Sequence, residues 1–417
     1  MSVSSRPLWQ RLPRPDRSNT GMWAIGAGHA MTHAYTAAWY LLVPFVAKDL
    51  GLSYSQIGLL FAVRQFMSTV VNLPAGVIVD TLGRRDLFMT LALLGSALPY
   101  LVISVTSSYW IIVACVALAG LASFLWHPAA ITSISEMYPA RRGYGLAIHE
   151  LGANLGDTLM PLLTGFLLGY LTWRRVIDVS IVAGALIAVF MLRVIAHVRR
   201  RTADSAARRA PAGGYLAGLR LLVRNANLMV LALVSGIRSF SQQGLQSFLP
   251  LYLINQLKFS PGAVGVYLFV VQVSGMVATP IAGTLSDRIG PKRVATVGMF
   301  STSLAVFGFA LLDLGSAFVV ALAVVGFFLY SMRPAIFRWA IGVVPRQYEG
   351  TTVGALFTTQ AAFSTFMPLI GGWVADRYGL IYVFYIIAGA MVLANLITLV
   401  VPDLKRPAPQ TLEPENV

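Results

Sequence analysis

GVIVDTLGRR (residues 76–85) comes back later in the chain as GTLSDRIGPKR (residues 283–293), with Asp80 answering to Asp287 and Gly83 to Gly290. The same offset relates MPLLTG at Met160 to MPLIGG at Met367, and GLSYSQIG at Gly51 to KFSPGAVG at Lys258. HPA at His127 meets RPA at Arg333 one residue short of it. Four matches in nearly one register mark a duplicated unit. A duplicated membrane unit is the arrangement expected of a secondary transporter, with its site between the halves near mid-membrane.

The composition puts this duplication in a bilayer. Of 417 residues, 57% are hydrophobic and only 11% charged, with a mean hydropathy of +0.72; soluble domains carry about 25% charge. Apolar runs of roughly 20 residues are needed to cross a bilayer. Twelve are expected, at 22–46, 55–79, 87–106, 109–137, 143–171, 174–195, 227–256, 261–286, 293–313, 316–344, 350–376 and 380–401. The fold class is therefore all-α, two six-helix bundles of a membrane protein. Residues 1–20 read as a cytosolic arm, 21–195 as the first bundle, 196–226 as a central loop, 227–402 as the second bundle and 403–417 as a tail.

Most Lys and Arg fall in the arm, the central loop, the tail and alternate short loops. Lys48, Arg174, Arg175, Lys258 and Arg377 are the few on the other side. By the positive-inside rule both termini are cytoplasmic, in a bacterial inner membrane. The net charge of +15 is thus a topology signal with a secondary attraction to anionic lipid, and nucleic acid is not an implied partner. The polar, Arg- and Pro-rich start does not read as a cleavable signal. Cys115 is the single cysteine, which excludes a disulfide framework. No P-loop is present, so ATP does not drive the protein, and nothing marks an enzyme or a cofactor.

Gly76, Asp80, Gly83, Arg84 and Arg85 form Gly-x3-Asp-x2-Gly-Arg-Arg between spans 2 and 3. This resembles the signature loop of the major facilitator superfamily, with a weaker copy at Gly283, Asp287, Gly290 and Arg293 where that family places it. The resemblance covers the chain apart from its termini and central loop. A narrower one is to the fosmidomycin-resistance family of efflux proteins. It rests on GHAMTHAY (28–35), WHPAA (126–130) and RGYGLAIHELGANLGDTLMP (142–161). His33 stands where that family's first helix has an acid, and Met160-Pro161 where the antiporter motif has Gly-Pro. The resemblance implies efflux, a monomer, and a cavity lined by helices 1, 4, 7 and 10.

The loop has its own logic. Gly83 permits a turn with positive φ, Asp80 can cap a helix N-terminus, and Arg84 and Arg85 can pair with an acid such as Glu136. Such a cluster would gate the cytoplasmic side; topology alone is the plainer alternative. In helix 5, Glu150, Asn154, Asp157 and Pro161 share a stripe, while Gly152 and Gly156 lie roughly opposite and invite close packing. Asp157 comes about 21 Å into the span. An acid at that depth costs roughly 2.5–3.5 kcal/mol and is a functional candidate by default. His149 falls off the stripe but is a further candidate for proton or substrate work. His29 and His33 stand one turn apart, suited to proton handling or substrate hydrogen bonding. Such a pair can ligate a metal, but no sequence-adjacent carboxylate completes a site, so none is expected. His127 in helix 4 reads similarly.

Arg64, Arg238, Arg333 and Arg338 sit inside spans and must meet an anion, carbonyls or water. Arg238 and Arg333 lie at equal depth, roughly 16 Å in. They suit a carboxylate or phosphate, or else neutralise Asp157 and Glu150. Gln242, Gln243, Gln246, Gln272 and Gln360 add neutral hydrogen bonds. The expectation is a secondary transporter exporting a small anionic or amphiphilic compound against protons. Alternatives are a proton-coupled importer of an organic anion, a non-transporting sensor and a lysolipid flippase.

Overall fold

A computed structural model describes residues 20–202, 224–311, 317–345 and 348–403. The arm up to residue 19, residues 203–223 of the central loop and the tail from 404 lie outside the described residues, as do the side chain of Asp80 and the surroundings of Gly76.

Among the described residues the chain is helical and contains no strand. The helices are α1 Thr20–Leu50, α2 Tyr54–Leu82, α3 Arg85–Val105, α4 Tyr109–Phe124, α5 Trp126–Met137, α6 Arg142–Leu167 and α7 Trp173–Thr202. They continue with α8 Ala226–Leu251, α9 Pro261–Ile289, α10 Pro291–Leu311, α11 Phe318–Gly342, α12 Glu349–Tyr378 and α13 Leu380–Thr398. They follow the twelve expected spans, with α4 and α5 as two pieces of the fourth. The break at Leu125 has a local cause. Pro128 has no N–H for the carbonyl of Phe124, and the N–H of Leu125 turns back to Ala122 instead. Six segments are apolar enough to cross a bilayer on length and composition alone: Arg85–Val105, Tyr109–Met137, Pro261–Ile289, Phe318–Gly342, Thr352–Tyr378 and Leu380–Thr398. Helices α1, α6 and α8 interrupt their apolar runs with His, Asp, Glu, Arg and Gln.

Helix ends follow the turn chemistry. Gly83 ends α2 at φ +62°, and its counterpart Gly290 ends α9 at φ +97°, values that cost a side chain strain. Ser260 accepts the N–H of Ala263 at the start of α9, with Pro261 in the first turn.

The described residues form two compact units. One draws on Met1–Trp39, Val70–Met160 and Leu171–Arg209; the other on Tyr40–Thr69, Pro161–Tyr170 and Ala210–Val417. Helices α1, α2 and α6 thus contribute to both. In the first unit a core of Ile25, Val79, Phe88, Leu93, Trp126, Ala130 and Ile134 is buried. There α1 and α6 touch backbone to backbone. A Cβ at Gly152 would overlap the carbonyl oxygen of Gly26, and one at Gly156 that of Ala30.

The second unit repeats this device twice. A Cβ at Gly58 in α2 would overlap the carbonyl of Pro368 and crowd Gly372 in α12; one at Gly165 in α6 would overlap the carbonyl of Pro261 and crowd Gly265 in α9. The two contacts exchange under the sequence repeat, since Gly58 answers to Gly265 and Gly165 to Gly372. A further tie belongs to one of them alone. Asp376 near the end of α12 accepts the N–H groups of Tyr54 and Ser55, each at 2.8 Å. That places a carboxylate on the positive end of the α2 dipole.

Close backbone contact makes glycine obligatory at these points. Gly156→Leu should force α1 and α6 apart at a cost of about 1–3 kcal/mol, the usual penalty of overpacking. A melting temperature in detergent equal to that of the unchanged protein would refute the contact.

Candidate functional site

The close packing of α1 on α6 brings four histidines together in the first unit. The rings of His29 and His149 stack at 3.7 Å between centroids, 12° from parallel. His29 Nδ1 lies 2.8 Å from the carbonyl oxygen of His149 and must donate to it. Trp126, fully buried at the start of α5, donates its indole N–H to His149 Nε2 at 3.1 Å. These partners assign the tautomers: a neutral His29 keeps its lone pair on Nε2, and His149 accepts through Nε2. His29 Nε2 faces His127 Nε2 at 3.3 Å, so in the neutral pair His127 is the donor. His33 Nδ1 meets Asp157 Oδ2 at 2.9 Å.

Each residue arrives there for a local reason. His29 and His33 share a face of α1 because they are four apart. The Leu125 break starts α5 with Trp126 and His127. Asp157 sits one residue past Gly156, where α1 packs closely. His29 and His149 are buried, at 1% and 4% exposure, whereas the side chains of His33 and Asp157 are 31% and 30% exposed. The cluster thus runs from a sealed end to an accessible one. Glu150 and Asn154 on the same helix are exposed. The sequence stripe recovers Asp157 as the acid with a histidine partner. It leaves out His149, which enters the cluster from the packed side of α6, and Trp126, for which no residue spacing gave a signal. Asp178 sits near the start of α7, 3.7 Å from Arg175.

The second unit holds the other chemistry. Arg238 of α8 is 2% exposed. It donates to Gln242 Oε1 at 2.6 Å, while its Nε is buried with no hydrogen-bond partner. Arg333 of α11 is within electrostatic reach of it and is exposed, with its guanidinium 5.9 Å from the Phe337 ring and 5.6 Å from that of Phe357. No Asp or Glu occurs in α8, α10, α11 or α13; those of α9 and α12 are Asp287, Glu349 and Asp376, near helix ends. Neutral groups surround the arginines' helices. Gln360 donates to Ser235 Oγ at 2.7 Å, Gln243 to the Tyr40 hydroxyl at 3.0 Å, and Gln246 to Tyr330, which donates to Gln272. Arg64 of α2 is also buried in this unit.

The two signature loops differ in their pairings. Arg85 pairs with Glu136 of α5, whereas Arg84 is 3.6 Å from its neighbour Asp86. In the second copy Asp287 pairs with Arg338 of α11, and Lys292 donates to the carbonyls of Leu399 and Val401 at the end of α13. A Cβ at Gly283 would meet open space, and Arg293 is exposed.

A model described as Major Facilitator Superfamily matches residues 25–365 and 231–416. The chain belongs to the major facilitator superfamily. Its curated relatives are transporters, and it is an integral membrane transporter rather than an enzyme. It is 24% identical over 352 residues to a probable nitrate/nitrite transporter of Mycobacterium tuberculosis, covering 81% of this chain and 85% of that one. It is 24% identical over 379 residues to a glycerol-3-phosphate transporter of Bacillus subtilis, at 82% and 84% coverage. The fosmidomycin resistance protein of Escherichia coli is 23% identical over 421 residues, covering 97% and 98%. Among solved structures, a nucleoside transporter aligns with a TM-score of 0.78 at 14% identity, covering 91% of this chain and 99% of that one. An inward-facing, occupied bacterial homologue of the lysosomal transporter Spinster aligns at 0.78 and 15%, covering 93% and 97%. These likenesses establish the fold.

The ion pair of Arg85 with Glu136 is open to a double-mutant cycle. Arg85→Gln and Glu136→Gln should each lower the melting temperature, and the double variant should be no worse than the worse single one. The coupling should be roughly 0.2–1 kcal/mol, since both groups keep some contact with solvent. Strictly additive losses would dissolve the pair.

Proposed function

We propose that this transporter carries a small anion, held through its carboxylate or phosphate by Arg238 and Arg333. The supporting observation is the buried Arg238 guanidinium, close to a second arginine and on helices that carry no acid. A cation at that depth needs an anion, carbonyls or water, and of these a planar fork suits an oxyanion. The phenyl rings beside Arg333 and the glutamines of α8, α9 and α12 suit an anion with an amphiphilic body. Nitrate, nitrite and glycerol 3-phosphate, in the names of two relatives, are anions as well.

The driving gradient in this reading is one of protons, exchanged on the polar face of α6 through Asp157 with its partner His33, and with Glu150 nearer the helix start. Direction is export, in keeping with the full-length likeness to a resistance protein. Import of an organic anion uses the same parts, because gradient and relative affinities set the direction. The protein works as a monomer in a bacterial inner membrane with both termini in the cytoplasm. Arg85 with Glu136, and Asp287 with Arg338, act as cytoplasmic-side latches that release during the cycle, with Gly76 and Asp80 of the signature loop in the same role.

Reconstituted vesicles with a trapped pH dye test this. Phosphonates, carboxylates and cationic drugs form the panel. Anions alone should drive proton movement, and Arg238→Gln should lower anion-dependent flux ten- to a hundredfold. That is the loss of about 1.5–3 kcal/mol expected when a charge-assisted hydrogen bond goes. Asp157→Asn should abolish proton movement. Anion flux unaltered by Arg238→Gln refutes the anion site, and binding without flux favours a sensor.

A further inference from the structure

The first unit holds more imidazole than a proton relay through Asp157 and His33 requires. His29, His33 and His127 each offer a ring nitrogen, and the three atoms lie within 4.8 Å of one another. We propose that these three side chains bind a divalent late transition metal of the zinc class, with Asp157 and the backbone carbonyl of His149 as its outer shell.

The distances fit the chemistry. A tetrahedral ion with arms of 2.0–2.1 Å to imidazole nitrogen sets its ligand atoms about 3.3–3.4 Å apart. His29 Nε2 and His127 Nε2 are 3.3 Å apart. His29 and His33 are four residues apart on one helix face, the spacing with which a helix presents two imidazoles to one ion. His127 comes from α5, across the α1 packing face.

The outer shell is the second, independent observation. Metal-bound imidazoles donate their other ring N–H to a carbonyl or a carboxylate, which orients the ring and raises its basicity. Both forms are present. His29 donates Nδ1–H to the His149 carbonyl at 2.8 Å, which turns its Nε2 lone pair towards His127. His33 Nδ1 lies 2.9 Å from Asp157, so its Nε2 is the nitrogen available to a metal. His127 donates in the neutral pair and would shift its proton to Nδ1, or lose it, on binding; metal binding to imidazole displaces protons in this way. Three nitrogens leave a fourth position for water. The ion enters past His33 and Asp157, whose side chains are 31% and 30% exposed. Imidazole favours Zn, Cu and Ni over Mg or Ca.

The test reads binding with neither substrate nor gradient, so its outcome is independent of the transport reading. Purified full-length protein, freed of any polyhistidine tag, is titrated with Co(II) and then with Zn(II). One Co(II) per chain should bind with the visible absorption of a low-symmetry nitrogen site, and Zn(II) should displace it. Asp157→Asn should weaken binding about 10–100-fold, the usual outer-shell effect, and His127→Ala should weaken it further. Glu150→Gln should leave it unchanged. Circular dichroism and melting curves establish that each variant is folded. No visible band in the unchanged protein, or a band that survives in folded His127→Ala, overturns the proposal. So does a band that Glu150→Gln removes, since Glu150 groups with His29 and His149 instead.

Discussion

The carbonyl oxygens of Gly26 and Ala30 occupy the space that Cβ atoms at Gly152 and Gly156 would fill. The histidine cluster of the first unit follows from that contact. Two helices held at this separation cannot keep long side chains between them. The imidazoles of α1 therefore lie along the edge of the contact, where His149 stacks and Asp157 hydrogen-bonds. The second unit uses the same constraint at Gly58 and Gly165. There the atoms approached are again backbone atoms, of Pro368 and Pro261. Small residues serve membrane helices in this way because lipid offers no hydrophobic drive for helices to associate, and close van der Waals contact must supply it.

Charged groups inside these helices call for polar partners, since hydrocarbon offers none. The solutions differ by residue. Asp157 takes a histidine, Arg85 an acid, Arg174 the carbonyls of Ser104 and Thr106 at the end of α3, and Lys292 those at the end of α13. Arg238 takes a neutral glutamine at one edge. Its charge is backed by that amide and lies near another arginine, on helices that carry no acid.

What the sequence discloses depends on whether the cause is periodic. Apolar runs, the repeat, the glycines opposite the acidic stripe and the positive φ at Gly83 are all local, so they can be read along the chain. The meeting of His127 with His29 and His33 is not local. It depends on how α5 is rotated after the Leu125 break, and spacing along α1 alone gives no carboxylate or third imidazole near the pair. His149 is a candidate in the sequence although it lies off the polar stripe; what spacing does not give is its ring stacked on that of His29. The tie from Asp376 to Tyr54 and Ser55 spans most of the chain and has no repeat partner to betray it. Its counterpart position is Gly169, and the matching helix start has Pro261, which carries no N–H.

That asymmetry is the wider pattern of the molecule. Duplication supplied two copies of one scaffold, and the glycine pairs Gly58 and Gly265, Gly165 and Gly372, with the turn glycines Gly83 and Gly290, are kept in both, whereas Gly152 and Gly156 answer to Thr359 and Phe363. Polar side chains also differ. HPA in the first half and RPA in the second put an imidazole and a guanidinium at matching places, His127 and Arg333. Imidazole as a group can gain or lose a proton, whereas guanidinium is a permanent cation with a planar fork. The repeat thus keeps the backbone and changes the chemistry carried on it.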